Sequence, residues 1–322
     1  MIRRRPGRRL AALLLALAPV AALAACGEEA PPGLEAETGS KTAEGAAAFT
    51  VSGDVGESPK VTWKARMKAD DIEHETLVTG DGPALEEGAS ALAHLWIGNG
   101  YTQKSGYDTR EEGAQLLTAN GELPEFLAPV KGATVGSRIL VTGSAEKVFG
   151  EGGNPALGIG NKDTVAVIID LVSDLAKLPT DIRADGPPWM PRIVTNDDKL
   201  PTGFNFSDAT APDDKLHKAV LLNGKGAKVE KGQTIAVNYL GQVYEGKKPF
   251  DESFSKPAPT TFQIGTGAVI KAWDQALVGV TVGSRVVIAV PPELGYGEKG
   301  NKDAGIKGTD TLFFVIDVLG AA

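Results

Sequence analysis

Few side chains in this chain of 322 residues are equipped for covalent or metal chemistry. It has one cysteine, Cys26, and three histidines, His74, His94 and His217. Disulfide scaffolds, zinc fingers, iron–sulfur clusters and most His-based metal catalysis need more ligands than these. His74-Glu75 lacks the second histidine four residues on that would put two imidazoles on one helix face around zinc. No glycine-rich phosphate loop follows a strand, and three histidines suggest no Ser/His/Asp set. His94, on a strand with Leu92 and Trp96, reads as a half-buried histidine rather than a pocket ligand. Asp70-Asp71, Asp197-Asp198 and Asp213-Asp214 read as solvated turns rather than calcium sites. A net charge of -8 argues against nucleic acid as a partner, because phosphate binding needs basic surface. No cofactor is implied. Any chemistry has to arise without a metal, a phosphate loop or a His-activated nucleophile.

Cys26 has a different use. Arg3, Arg4, Arg5, Arg8 and Arg9 precede an apolar run from Leu10 to Ala25, the pattern of a secretory signal peptide over residues 1–25. A retained anchor is the alternative, but sixteen residues containing Pro19 fall short of the ~20 that span a bilayer. The run ends in Leu23-Ala24-Ala25-Cys26-Gly27, which resembles the bacterial lipobox. That resemblance implies lipid attachment to the Cys26 thiol and cleavage just before it. Ordinary cleavage at Ala22-Leu23-Ala24 is the simpler alternative. Loss of the five arginines takes the charge from -8 to -13. A lipid, not electrostatics, would then hold the chain at the extracytoplasmic face of the cell membrane.

These features must be carried by a scaffold, and the length suits about two domains. Residues 26–48, poor in large apolar side chains, read as a flexible tether. Pro179, Pro187, Pro188, Pro191, Pro201 and Pro212 make 176–213 a Pro-rich linker, with Trp189 and Met190 docking on a domain face. The flanking regions, 49–175 and 214–322, are related. Thr134-Val135-Gly136-Ser137-Arg138 recurs as Thr281-Val282-Gly283-Ser284-Arg285, and Phe149-Gly150-Glu151 and Ile169-Asp170 recur in step as Tyr296-Gly297-Glu298 and Ile316-Asp317. A slightly different offset pairs Tyr107-Asp108 with Phe250-Asp251 and Gly98 with Gly241. In the second copy, Ile235, Val237 and Tyr239 alternate, as do Leu312, Phe314, Ile316 and Val318, which predicts half-buried strands. Arg285 to Val290 reads as a more continuously apolar strand. Ile270, Trp273 and Leu277 are spaced for a short helix over 268–278, with Gly279 as its left-handed cap. The class is α+β, an antiparallel sheet packed on a helix.

Val237-Asn238-Tyr239-Leu240-Gly241, Gly246-Lys247-Lys248-Pro249-Phe250-Asp251, Val269-Ile270-Lys271-Ala272-Trp273, Val282-Gly283 and Pro292-Glu293-Leu294-Gly295-Tyr296-Gly297 follow one another in order. Together they resemble the macrolide-binding FKBP-type peptidyl-prolyl cis-trans isomerases over residues 216–319. The resemblance implies two FKBP-like domains, each a curved antiparallel sheet wrapped over a short α-helix. It implies a hollow that holds a proline, with Trp273 as floor and Tyr239, Phe250, Val269, Ile270 and Phe314 as walls. Tyr296 would offer its hydroxyl, the Ile270 N–H would take a substrate carbonyl, Asp251 would be polar on the wall, and Ile306 would contact from a loop. Partners implied are proline-containing segments of unfolded or exported proteins, and macrolides. A non-catalytic peptide-binding chaperone or macrolide-binding module is the alternative. Thr260 replaces a common aromatic, Lys256 stands where an arginine often pairs with the Asp251 position, and Gly305-Ile306-Lys307-Gly308 replaces a Pro-rich tip, which weakens the case for macrolides. In the first copy the same alignment sets Trp96, Tyr107, Asp108, Glu122, Leu123, Phe126, Phe149 and Val167 against Tyr239, Phe250, Asp251, Val269, Ile270, Trp273, Tyr296 and Phe314. That copy is expected to keep the fold with a degenerate site.

Overall fold

The repeated pentapeptide is an anchor for the scaffold. In the computed structural model, which describes residues 41–121, 123–179 and 186–322, Gly136 and Gly283 take φ of +91° and +90°. Glycine adopts such angles without a Cβ penalty. The serine after each accepts a backbone N–H, from Gly80 to Ser137 Oγ and from Gly224 to Ser284 Oγ, both at 2.9 Å. The arginine that follows is buried against an aspartate of a neighbouring strand, Arg138 with Asp170 and Arg285 with Asp317. Thr-Val-Gly-Ser-Arg therefore turns the chain and pins the start of a strand. It has no place in the chemistry.

Among the described residues four short strands come first: β1 (Thr42–Glu44), β2 (Phe49–Ser52), β3 (Lys60–Trp63) and β4 (Arg66–Lys68). β1 pairs with β4 in parallel, and β2 with β3 as an antiparallel hairpin. Next are β5 (Glu73–Val78), β6 (Ser90–Asn99), β7 (Lys104–Asp108), β8 (Gln115–Thr118), β9 (Arg138–Ser144), helix α1 (Ala145–Phe149) and β10 (Thr164–Asp174). They form an antiparallel sheet of order β5-β9-β10-β6-β7, with β8 also on β6. A second antiparallel hairpin, β11 (Arg192–Thr195) and β12 (Pro201–Asn205), precedes the other sheet. That sheet contains β13 (His217–Leu222), β14 (Thr234–Val243), β15 (Asp251–Glu252), β16 (Thr260–Gln263), β17 (Arg285–Val290) and β18 (Leu312–Ala321), with helix α2 (Lys271–Leu277) between β16 and β17. Its order, β13-β17-β18-β14-β15 with β16 on β14, repeats the first strand for strand.

Each sheet buries its inner face against a short helical segment. In the second sheet, Ala272, Trp273, Ala276 and Leu277 of α2 pack on Val237, Ile288, Ile316 and Val318. Gly279, at φ +81°, ends the helix as expected. In the first sheet the expected α-helix is instead a 3-10 helix, Glu125–Val130. Pro129 inside it has no N–H to continue an α-helical ladder.

The outer faces depart from expectation in an informative way. β14 and β18 are buried on both sides, not half-buried. Leu240, Val287, Phe313 and Val315 on the outer face lie under Phe204, Trp189, Met190, Ile193 and Phe206. Gln242 clamps this cover, its Oε1 accepting the Phe204 N–H at 2.9 Å and its Nε2 donating to the Gly246 carbonyl at 2.6 Å. The stretch read as a Pro-rich linker thus includes an ordered hairpin, whose apolar side chains lie among its prolines. The N-terminal segments do the same for the first sheet: Phe49, Val51, Val61 and Trp63 of the β2–β3 hairpin, with Ala48 before it and Met67 of β4, pack with Trp96, Leu140 and Ile168. The stretch read as a tether to residue 48 is therefore ordered from Thr42 on, with Gly45 and Ala48 buried. The signal segment, Cys26 and the earlier tether lie outside the described residues. Where the sheets meet, Leu92 and Ala114 pack on Ala236, and the Ala176 N–H donates to the Leu319 carbonyl at 2.6 Å.

Candidate functional site

A cavity of about 470 Å³ opens from the inner face of the second sheet. β14 supplies Tyr239, β15 Asp251, β16 Phe262 and β18 Phe314, while the chain entering α2 supplies Val269 and Ile270, and α2 itself Trp273. Trp273 is 4% exposed and sits at the centre of the rings. Tyr239, Phe262 and Phe314 stand nearly perpendicular to it, with centroids 5.4, 5.2 and 5.5 Å away. Ring quadrupoles favour this edge-to-face arrangement over a face-to-face sandwich, so the four rings hold one another in place. Phe250 stands edge-on to Phe314 at 5.7 Å.

Gly241 makes room for two of these rings. A Cβ there would lie 2.6 Å from Phe250 Cζ and 2.7 Å from Phe314 Cε1. Gly241→Ala should therefore push both walls out of place and cost about 1–3 kcal/mol of stability. Denaturant unfolding measures that loss, and a proline-peptide rate at least tenfold lower is expected alongside it.

Polar groups at the cavity fall into two kinds. The Tyr239 hydroxyl is committed, donating to Asp251 Oδ2 at 2.5 Å. Burial, and then the bond to Asp251 and its nearby charge, push the phenol pKa far above its ordinary value, so the hydroxyl keeps its proton. Ser253 fixes this strand pair, its Oγ accepting the Tyr239 N–H at 3.0 Å and its N–H reaching the Tyr239 carbonyl at 2.8 Å. Donors without a partner among the described residues include the Ile270 N–H, the hydroxyl of Tyr296, a residue 37% exposed, the buried Trp273 Nε1 and the Lys271 ammonium. Lys256 forms no ion pair with Asp251, so the pairing expected at that position is not made.

Tyr239, Phe250, Asp251, Val269, Ile270, Trp273, Tyr296 and Phe314 all line the cavity. Ile306 does not. It is 4% exposed in the core cluster, and its backbone bridges Asn301 through two hydrogen bonds of 2.8 Å. Sequence reasoning passed over Phe262, Ala268, Lys271 and Gly295 as lining residues. Phe262 lies on a strand of only four residues, opposite Ile235, too short for alternation to mark its face.

The first sheet requires a correction of register. Leu95, not Trp96, stands where Tyr239 does: Leu95 pairs with Ile169 as Tyr239 pairs with Ile316. The Leu95 N–H bonds Thr109 Oγ1 at 2.9 Å as the Tyr239 N–H bonds Ser253 Oγ. A one-residue slip reverses the face of every side chain, and Trp96 accordingly points into the outer cluster. By the same pairing Ile97 takes the place of Gly241, and Tyr107, not Asp108, that of Asp251. Asp108 instead joins an ion pair with Arg110 at 2.9 Å and a bond from Ser58. His94, half-buried as expected, bonds Thr109 Oγ1 at 3.1 Å. Phe126, Leu123, Phe149 and Val167 do pack into this core. Glu122 lies outside the described residues.

The family model for FKBP-type peptidyl-prolyl cis-trans isomerases matches residues 225–319. Over 115 residues, 36% of this chain, the sequence is 38% identical to an FK506-binding protein of Streptomyces anulatus, covering 92% of that protein. It is 36% identical over 117 residues to FK506-binding protein 2 of Dictyostelium discoideum, covering 36% of this chain and 86% of the relative. Peptidyl-prolyl cis-trans isomerase FKBP15-2 of Arabidopsis thaliana is 38% identical over 116 residues, covering 35% of this chain and 70% of that one. The chain belongs to the FKBP-type peptidyl-prolyl cis-trans isomerases. It is a rotamase, and the matched segment is the one that builds the aromatic cavity.

Proposed function

We propose that isomerisation takes place in the cavity of the second sheet, with Trp273 as the floor on which the prolyl ring rests. The observation that supports this most directly is the coincidence of a ring-lined cavity with uncommitted donors at its wall, the Ile270 N–H and the Tyr296 hydroxyl among them. An X–Pro bond turns slowly because rotation must break amide resonance, a barrier of ~18–20 kcal/mol. The twisted amide carries less charge separation than the planar one, so a dry apolar site favours it relative to water. Donors that grip the flanking carbonyls in the twisted geometry add binding that the ground state lacks. Each ~1.4 kcal/mol of such preference is tenfold in rate. Neither a nucleophile nor a metal is needed. The test is an isomerisation assay on the full chain with short proline peptides; a rate no higher than the uncatalysed one would overturn the assignment.

We further propose that the two sheets are copies of one unit and that the first has lost the site. Leu95 and Tyr107 remove the Tyr239–Asp251 pair, Phe149 removes the Tyr296 hydroxyl, and Ile97, 4% exposed, fills the space Gly241 leaves open. In this reading the chain is exported, anchored by lipid on Cys26, and acts on X–Pro bonds of proteins folding outside the cytoplasmic membrane, where such bonds can limit folding. Cys26→Ser should release the protein from the membrane fraction into the medium, measured by fractionation and immunodetection. Retention on the membrane would sink the anchor.

A further inference from the structure

Among the described residues Lys271 is the one cation lining the cavity, and we propose that it selects substrates with an acidic side chain next to the target proline. This rests on the cavity being the isomerase site. Lys271 is exposed, and among the described residues its ammonium forms neither an ion pair nor a hydrogen bond. The carboxylate best placed to neutralise it from its own helix, Asp274 three residues on, is committed elsewhere. Asp274 Oδ1 accepts the Gly265 N–H at 2.6 Å and Oδ2 the Gly267 N–H at 2.9 Å, which shapes the turn before α2. Asp251, the one carboxylate lining the cavity among the described residues, makes no ion pair with Lys271 and instead takes the Tyr239 hydroxyl. The cavity therefore has two separate poles, an anionic wall at β15 and an unpaired cation at the start of α2.

Position decides which pole a flanking side chain meets. Lys271 follows directly on Ile270, so their Cα atoms are about 3.8 Å apart. A peptide carbonyl held by the Ile270 N–H brings the side chain beside that carbonyl within reach of the ammonium. A glutamate there gains an ion pair, glutamine gains little, and lysine meets a like charge. The pole also stands out locally, since the chain as a whole carries a charge of -8.

The test measures kcat/KM at low salt for the full chain on matched short peptides carrying Glu, Gln or Lys immediately before or after proline. The wild type should prefer Glu over Lys by about two- to fivefold in one of these positions, the range of an exposed ion pair. Lys271→Gln should bring that ratio to about one, and Lys271→Glu should invert it. Lys225→Gln, a charge change outside the cavity, should leave the ratio as it is, and added salt should shrink it by screening. A wild type that turns over all the peptides without preference, or a preference untouched by Lys271→Gln, would overturn the role of Lys271 alone. A chain inactive on every peptide would overturn the cavity assignment and this role with it.

Discussion

Trp273→Leu is expected to lower the proline-peptide rate at least tenfold in a chain that still folds, and Trp273→Ala to lower it further while also unfolding more easily. The two substitutions separate the two jobs of this ring. Leucine keeps apolar volume beneath the cavity but removes the flat surface against which Tyr239, Phe262 and Phe314 stand at 76–86°. Alanine also leaves a void among residues nearly all buried, a change that costs about 3–5 kcal/mol. Isomerisation kinetics on each variant, at a temperature where circular dichroism shows it folded, decide the matter. A Trp273→Leu protein with wild-type rates would remove Trp273 from the site.

The second large effect concerns the ion pair behind the cavity. Arg285 and Asp317 are 1% and 0% exposed and joined by two bonds of 2.6 Å, Nε to Oδ1 and Nη2 to Oδ2. Arg285 Nη1 is buried with no partner. In the first sheet Arg138 differs: its Nη1 donates to the Gly53 carbonyl at 2.8 Å, and its Nη2 to Asp54 and Glu57 carbonyls as well as to Asp170. Asp317→Ala should thus strand a buried guanidinium and cost about 3–5 kcal/mol, whereas replacing both partners, Arg285→Met with Asp317→Leu, should cost far less or nothing. Burial pushes the Asp317 carboxyl above its ordinary pKa despite the opposing pull of Arg285, which agrees with a pair that desolvation makes expensive to keep. Equilibrium denaturation of the single and double variants measures the contrast. A double variant as unstable as the single one would show that the pair stabilises the fold beyond mutual neutralisation.

The parts of the fold legible in the sequence were those with strong local signals. Ile270, Trp273, Leu277 and Gly279 announced a helix and its end, and the observed helix, Lys271–Leu277, falls inside the expected span. The ordered motifs from Val237 to Gly297 carry seven of the expected lining residues, and the alternating strand through Phe314 carries the eighth. What escaped notice was weakly local. Trp189 and Met190 dock on a sheet face as expected, but the hairpin beside them has strands of four and five residues, and its apolar members, Ile193, Phe204 and Phe206, are scattered among prolines. The first-sheet register was misread because β6 carries apolar residues on both faces, so alternation does not say which face is inner. Leu95 and Tyr107 sit one residue before Trp96 and Asp108, the positions that matching Tyr107-Asp108 to Phe250-Asp251 selects. Only Thr109 and Ser253, small hydroxyl residues that bond the same strand position in each sheet, marked the true offset, and neither stands out in the sequence.

The covers also fix an order of events. Each hairpin lies N-terminal to the sheet it lines, β2–β3 before β5 and β11–β12 before β13. A chain threading from its N-terminus therefore presents the shield before the surface to be shielded, and a newly emerging β18 finds Phe204 and Phe206 already on its own side. Had the hairpins followed their sheets, Phe313, Val315 and Leu240 would stay open to strangers until synthesis was complete. The arrangement spares the folding chain an interval in which those side chains could aggregate.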